Sequence, residues 1–501
     1  MALRNNVIKG RNTRYFVKEE TTRGTLAFPV AGDSVLPVSK PTFEQQPNNS
    51  DVNAIRESNT KIDKNFNHFD TGSFSGMTLS HRSSGVKGTA PTAGESTLLK
   101  GKFGKQTDSS TTSVSAISIS GGTAANPVVL TVAAGHGFQA GDKAIIANCT
   151  ETDFNGTHVV ASVTSTTITL ETDGSGYGGA ATDGDITLDM VRFEFTNEIP
   201  YLSIWALTPD GSSTEDEAII EAYSGCKIGS LSTEINKEGE LMFTFGGVFV
   251  REYFGGTAEL SATAADSATT LTFDVASYDV DELFFVGQKV NMIDPAGTVT
   301  LDAPVSVTAV NSTANTVTVD AISTTGGTFP INTKVVPWLP TGTVTGSILS
   351  KTTAKVYLDD ANTPYGHTAT DLFTSANKLT AKQMTVNINQ PLDDPSRQEL
   401  SGNEYGEANF VDGPRSITGD IKLVARINDQ KYFQSFKNNQ RRSIGWTVGN
   451  TDGAIAEFII PRAFIDVPSK PDEDNTRQVM APYDALEPGI GVDKEATLIF
   501  R

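Results

Sequence analysis

Leu231-Ser232-Thr233-Glu234-Ile235-Asn236 and Met384-Thr385-Val386-Asn387-Ile388-Asn389 alternate apolar and polar residues without a break in a chain of 501 residues. Alternation of period two marks a β-strand with one face in a core and the other outside it. Leu241-Met242-Phe243-Thr244-Phe245 repeats the pattern. Around these runs Thr, Ser and Val dominate. The 45 glycines and 22 prolines keep the apolar segments short, as antiparallel sandwiches and barrels require. The sequence therefore predicts a mainly β fold. Helical patterning is confined to Glu95-Ser96-Thr97-Leu98-Leu99-Lys100 and Asp429-Gln430-Lys431-Tyr432-Phe433-Gln434-Ser435-Phe436, each read as a short helix across an open sheet face.

Letters recur between the two parts of the chain. Arg56-Glu57 leads through a polar stretch to Ser73-Phe74-Ser75-Gly76, and Arg397-Gln398-Glu399 leads through another to Ser416-Ile417-Thr418-Gly419. Ala218-Ile219-Ile220-Glu221 runs on to Ile228, as Ala454-Ile455-Ala456-Glu457 runs on to Ile465. The common order predicts an internal duplication: a first unit at 1–112 and 191–256, and a second at 350–501. Two copies of one shape make a symmetric or ring-like surface, so duplication points to geometry rather than chemistry.

Residues 113–190 and 257–349 differ in character, being rich in Thr, Ser, Ala, Val and Gly. They also resemble each other. Gly141-Asp142-Lys143-Ala144-Ile145-Ile146 parallels Gly287-Gln288-Lys289-Val290-Asn291-Met292, and Val160-Ala161-Ser162-Val163 parallels Val307-Thr308-Ala309-Val310. Each is predicted to be a small all-β module inserted at a loop, so that removing 113–190 would leave the rest intact. The first has one basic and eight acidic residues, the second two and nine, and together they hold −14 of the net charge of −20. Most of the acidity is thereby assigned to outward appendages.

That charge argues against general nucleic-acid binding through a basic face. Cys149 and Cys226 are too few for a disulfide framework and read as buried or idle thiols of a reducing compartment. The start, Met1-Ala2-Leu3-Arg4, lacks a secretory apolar region, and no run approaches the roughly 20 apolar residues of a membrane helix. A soluble protein made in a cytoplasm is expected. None of His68, His81, His136, His158 and His367 pairs at metal-ligand spacing on a helix. Gly174-Ser175-Gly176-Tyr177-Gly178-Gly179 lacks the strand and helix of a phosphate loop, and Asp279-Val280-Asp281-Glu282 lacks the glycine and spacing of a calcium loop. The reading is of no enzyme, no cofactor and no metal.

Several segments resemble the tail tube (major tail) proteins of long-tailed, non-contractile, siphovirus-type bacteriophages. They are Tyr15-Phe16-Val17-Lys18-Glu19-Glu20-Thr21-Thr22-Arg23-Gly24-Thr25 at the start, Gly72-Ser73-Phe74-Ser75-Gly76, Leu98-Leu99-Lys100-Gly101-Lys102-Phe103-Gly104, Tyr223-Ser224-Gly225-Cys226-Lys227-Ile228-Gly229-Ser230-Leu231, and Ile459-Ile460-Pro461-Arg462-Ala463. The resemblance covers about 300 residues, the chain without its two modules, and rests on the ordered set. It implies two tandem β-sandwich or barrel units, each with a flanking helix. Three duplicated chains would form a homotrimeric, pseudo-hexameric ring, and rings would stack into the tail tube, the conduit for genome ejection.

The implied partners are the chain itself, the tape measure protein and DNA passing through the lumen, and the tail terminator and tail-tip proteins, with no membrane. The implied location is the virion tail, assembled in the host bacterial cytoplasm. The polar stretches 45–70 and 391–414 would be arms to the next ring, unordered until assembly.

In that architecture Leu231, Ile235, Leu241, Phe243, Met384, Val386 and Ile388 face the core, and period two sends Ser232, Glu234, Asn236, Glu240, Asn387 and Asn389 to the lumen. None of the six is basic, which suits a wall that DNA must slide past. The competing expectation is a tail-tip or receptor- or glycan-binding phage protein. That would favour fibre repeats and an aromatic patch, whereas Trp205, Trp338 and Trp446 are scattered. A polysaccharide-degrading enzyme would need a paired-carboxylate cleft, which nothing in the sequence suggests.

Overall fold

Strands take 51% of the chain and helices 7%, so the protein is mainly β. The computed structural model describes residues 12–52, 63–69, 71–210, 217–274, 279–359, 372–393, 410–424, 441–466, 472–473, 476–487 and 494–501, with a few single positions between them. The predicted helix at 429–436 lies outside the described residues.

The first part of the body contains β1 (Arg14–Glu19), β2 (Ser34–Val35), β3 (Thr42–Glu44), β4 (Gly72–Ser80), helix α1 (Ala93–Phe103), β5 (Gly104–Thr107), β6 (Val191–Phe195), β7 (Leu202–Pro209), β8 (Ala218–Ile235), β9 (Met242–Phe249) and β10 (Arg251–Gly255). The second contains β11 (Lys355–Leu358), β12 (Lys378–Leu379), β13 (Ala381–Asn389), β14 (Ser416–Val424), β15 (Arg441–Thr451), β16 (Ala454–Ile465), β17 (Thr476–Ala485) and β18 (Thr497–Phe500).

The pairing pattern occurs twice. An inner sheet runs β3–β4–β9–β8 in the first part and β13–β14–β17–β16 in the second. An outer sheet runs β2–β1–β7–β8–β10 in the first and β12–β11–β15–β16–β18 in the second. The long strands β8 and β16 pass from one sheet to the other. Register repeats too. Phe43 opposes Phe74, flanked by Thr42–Ser75 and Glu44–Ser73, while Ile388 opposes Ile417, flanked by Asn387–Thr418 and Asn389–Ser416.

The four-letter echo Ala218–Glu221 and Ala454–Glu457 falls on these equivalent strands but one residue out of step. Ile220 and Ala222 point to the outer face, whereas Ala456 and Phe458 point into the core and Ile459 points outward. In a strand, a shift of one residue exchanges faces, so matching letters there do not mean matching environments.

The parts are not separate sandwiches. β8 pairs with β13 from Ser230–Asn389 to Ile235–Met384, which joins the two inner sheets edge to edge. β18 lies between β16 and β6, joining the parts a second time. One apolar core follows, holding Leu98, Phe193, Leu231 and Phe243 together with Met384, Ile421, Trp446 and Leu498. Helix α1 lies against β8, β1 and β6, burying Leu98, Leu99 and Phe103, and Phe103 stacks on Phe195 at 4.6 Å. It ends at Gly104, whose positive φ of 92° favours glycine. A Cβ there would lie 2.1 Å from Thr196 Oγ1.

The two inserted modules share a pattern. In the first, six strands close a barrel between Ile117–Gly122 and Asp185–Leu188. Its Gly156–Val163 strand bulges between Val160 and Ser162 against Thr167–Leu170. In the second, Val305–Asn311 bulges between Val307 and Ala309 against Thr316–Val319. The bulges fall within the segments whose letters match. The second module also contains one short helical turn, Val280–Leu283, so it is not purely strand.

The modules cover the body instead of hanging from it. The first packs on the second part, where Tyr357, Leu372, Ile459 and Ile499 join its core. The second packs on the first part, where Phe285, Val336 and Leu339 lie with Phe16, Trp205, Leu207 and Ile220. Each outer sheet carries an apolar outer face, and a module occupies it. A buried ion pair, Arg192–Asp142 at 2.8 Å, adds a polar anchor between β6 and the first module.

The expectation of unordered arms also changes at their roots. Pro47–Val52 pairs with Asp63–Phe69, and Leu392–Asp393 pairs with Val411–Asp412, so each arm leaves the sheet as a two-stranded ribbon. The segments 53–62 and 394–409 lie outside the described residues.

Glu20 ties together two segments that carried the family resemblance. One carboxylate oxygen accepts the Gly24 N–H at 2.7 Å; the other accepts the Gly225 N–H at 2.8 Å and the Ser203 hydroxyl at 2.9 Å. Burial pushes this carboxyl up to about 7.

Two expectations follow from this packing. Deleting 113–190 with a short Gly/Ser joint should expose Tyr357, Leu372, Ile459 and Ile499, each worth roughly 1.5–3 kcal/mol when fully buried. Soluble monodisperse protein should therefore be lost; recovery of such protein by size-exclusion chromatography would contradict the covering role. Glu20 makes stability pH-dependent. The folded chain keeps its proton up to about 7 while the unfolded chain releases it near 4.5, so this contribution is complete below 4.5 and fades as pH rises through 7. Glu20→Gln should flatten the fall in melting temperature over that window. An unchanged pH profile would remove Glu20 as its source.

Candidate functional site

The inner sheet has one face in the shared core and one polar face, and the polar face crosses both parts of the chain. A single row of registered residues runs Thr78–Thr244–Ser232–Asn387–Thr418–Asp484 over six strands, from β4 to β17. Within it the Thr78 and Thr244 hydroxyls lie 2.9 Å apart in a hydrogen bond. Alternate residues behind this face, Leu231, Ile235, Met384, Val386, Ile388, Ile417 and Ile421, are all buried. Burial of that set forces the polar set outward, because side chains alternate along a strand.

The structure brings the six sequence-predicted residues together along this face and its end. Ser232 opposes Asn387, Ser230 opposes Asn389, and Glu234 opposes Thr385. Asn236 follows the end of β8 and donates its amide N–H to Glu234 Oε1 at 2.7 Å. Glu240 precedes β9 and accepts the Ser80 hydroxyl at 2.5 Å. Sequence reasoning passed over Thr78, Thr244, Thr418, Asp420, Lys422 and Asp484 on the same face. The alternation Ser416-Ile417-Thr418-Gly419-Asp420-Ile421-Lys422-Leu423 carried the signal for the β14 members. Lys422 qualifies the expectation that no basic group lies on this face, which also carries Glu234, Glu240, Asp420 and Asp484.

Buried polar contacts hold this face in shape. β8 bulges between Ile228 and Ser230, and the Gly229 carbonyl accepts the Gln390 N–H at 2.9 Å and Lys102 Nζ at 2.8 Å. Burial lowers the Lys102 ammonium to about 7. Lys227 pairs with Asp412 and lies 5.3 Å from the Tyr201 ring centroid, while the Tyr201 hydroxyl accepts the Phe410 N–H at 3.2 Å. The root of the second arm is therefore fastened to the first part of the chain. Across β14, the Tyr483 hydroxyl donates to the Thr385 carbonyl at 2.7 Å, passing over Gly419. Burial raises the Tyr483 phenol well above its ordinary value, so it stays a neutral donor.

The remaining candidate residues do not converge. His158 spends both ring nitrogens, one on the Thr172 hydroxyl and one on the Phe154 carbonyl, each at 2.8 Å, while His136 bonds the Thr164 carbonyl. His81 is buried against Glu95 at 2.6 Å and stacks on Phe500. Cys149 lies in the first module's core and Cys226 in the body core. Among the described residues no group of three or more His, Cys, Asp or Glu could hold a metal ion, and no helix is long and apolar enough to cross a membrane.

At Gly419 a Cβ would lie 2.0 Å from the Thr385 carbonyl oxygen and 2.6 Å from the Tyr483 hydroxyl. Gly419→Ala should push these groups apart and cost about 1–3 kcal/mol, the usual range for overpacking. Denaturant unfolding measures it; a loss near zero would show that the β13–β14–β17 ladder yields without strain. Comparison with protein-family models and with curated proteins finds no match to this chain.

Proposed function

We propose that this chain is a structural virion protein, the tail tube subunit of a long-tailed, non-contractile bacteriophage. It acts as a wall and catalyses nothing: rings of it stack into the conduit through which the genome leaves. The observation that carries this reading is the polar row from Thr78 to Asp484, which runs over six strands and passes from one repeated sheet into the other. A binding module needs a pocket or patch. A continuous polar sheet face, backed by one core and built twice, suits a surface past which a polymer slides.

Ring closure follows from the edges. Among the described residues β3 pairs only with β4, so its other side is open to a strand from another chain. Exposed edges aggregate unless paired, and closing a sheet into a barrel removes them. With two units already in series through β8–β13, three chains supply six units. The proposed partners are further copies of the chain, the tape measure protein and then DNA in the lumen, and the tail terminator and tail-tip proteins at the ends. The proposed location is the virion tail, after assembly in the host cytoplasm.

Native mass spectrometry of a single ring should give three chains of 53.2 kDa. A ring of six chains would mean that the two parts do not act as separate units of the wall. In assembled tubes, Glu234→Lys with Glu240→Lys should slow DNA release, most at low salt where phosphate attraction is least screened. Unchanged release at low salt would take these residues off the channel wall.

A further inference from the structure

At the end of the β8–β13 joint lies a cleft of about 420 Å³, lined by Lys237, Lys355, Lys378 and Lys382 around an apolar floor of Ile235, Val356 and Leu379. All four lysines are exposed, and none forms an ion pair among the described residues. In a chain of net charge −20, four exposed ammonium groups around one cleft create a local field opposite to that of the whole molecule. Such a site selects an anionic occupant.

The matching charge is at the other end of the same strands. β13 begins at the cleft with Ala381 and ends at Asn389, where the second arm starts. The eight steps from Ala381 to Asn389, at about 3.3 Å each, separate the two by roughly 26 Å. The arm sequence 391–410 holds Asp393, Asp394, Glu399, Glu404 and Glu407 against the single Arg397. Copies stacked head to tail would set the acidic arm of one beside the lysine cleft of the next.

We propose that the cleft formed by Lys237, Lys355, Lys378 and Lys382 is the docking site for the acidic segment 391–410 of a second copy of this chain stacked end to end. The inference rests on the stacking reading above and adds the surfaces that recognise each other. Exposed ion pairs are individually weak, so the contact depends on several acting together and is sensitive to salt.

A fluorescent peptide of sequence 391–410, titrated into the full-length protein, tests the cleft without reference to tubes. Binding should be saturable and should weaken at least about tenfold between ~0.01 M and ~0.1 M salt, as the screening length falls from roughly 30 to 10 Å. It should be lost in the variant Lys237→Glu, Lys355→Glu, Lys378→Glu, Lys382→Glu, whose unchanged melting temperature would show that it is folded. Binding indifferent to those four changes overturns the proposal, as does tighter binding of a DNA oligonucleotide than of the peptide.

Assembly supplies the second arm of the test. The lysine variant and a variant with Asp393, Asp394, Glu399, Glu404 and Glu407 all changed to Lys should each form rings that do not stack. An equimolar mixture should stack again, because each chain offers the surface the other lacks. Failure of the mixture, where the chain carrying both sets of changes does stack, would place the segment in its own chain's cleft and overturn docking between copies. If the unaltered chain forms no rings while the peptide still binds through the lysines, the tube reading fails and the recognition of 391–410 by the cleft stands.

Discussion

The edge-to-edge pairing of β8 with β13 is the constraint on which the rest of the molecule depends. Six registered residue pairs make two repeated sheets into one, and they place the Leu231 and Ile388 rows over a common core. Once that joint exists, neither part can turn or slide without moving its polar face off its neighbour's. The surrounding contacts converge on the same place. The bulge at Gly229 presents its carbonyl to Gln390 and to the Lys102 ammonium, so α1, β8 and the exit of β13 meet at one oxygen. Lys227–Asp412 fastens the arm root nearby.

The outer sheets pose the opposite problem. Their outward residues, among them Phe16, Trp205 and Ile220 on one and Tyr357, Ile459 and Ile499 on the other, are too apolar to face water. Each is covered by a module inserted elsewhere in the chain, and the coverage is crossed: the module spliced into the first part packs on the second, while the module between the parts packs on the first. Crossing adds a third tie between the parts, beyond β8–β13 and β18–β6. It also means that an acidic, Thr-rich sequence is no guide to detachability. The same modules carry acid on their solvent sides and Phe285, Val336 or Leu372-contacting residues underneath.

What could be read from the sequence was whatever follows from local period. Alternation in 231–236, 241–245 and 384–389 predicted strands, faces and six polar residues that the structure sets along one surface and its end. The helix at Glu95-Ser96-Thr97-Leu98-Leu99-Lys100 was visible from its local pattern. Partnership was not visible. Nothing in Ser230–Ile235 says that its neighbour is Met384–Asn389, because any apolar-backed strand fits any other. The letters misled where they echoed one residue out of step, at Ala218–Glu221 and Ala454–Glu457. Even a true match can hide different causes: Gly76 has a φ of 72°, a conformation suited to glycine, whereas Gly419 is small because Tyr483 passes over it.

Charge is distributed unevenly over these surfaces. Modules on the outer sheets hold −14 of the net −20, which leaves the body near balance at −6. On the polar inner face Ser, Thr and Asn predominate, with the carboxylates Glu234, Asp420 and Asp484 offset in part by Lys422. Attraction to phosphate needs several unscreened cations together, and the row from Thr78 to Asp484 holds none. Among the described residues, exposed lysines gather around Lys237, Lys355, Lys378 and Lys382, at the end of the sheet and not in its middle row. The polar inner face thus carries Lys422 among its carboxylates, whereas four exposed lysines stand together at the end of the sheet. In the tail tube reading proposed above, that separation lets a polymer slide past the wall while the ends of stacked copies grip each other.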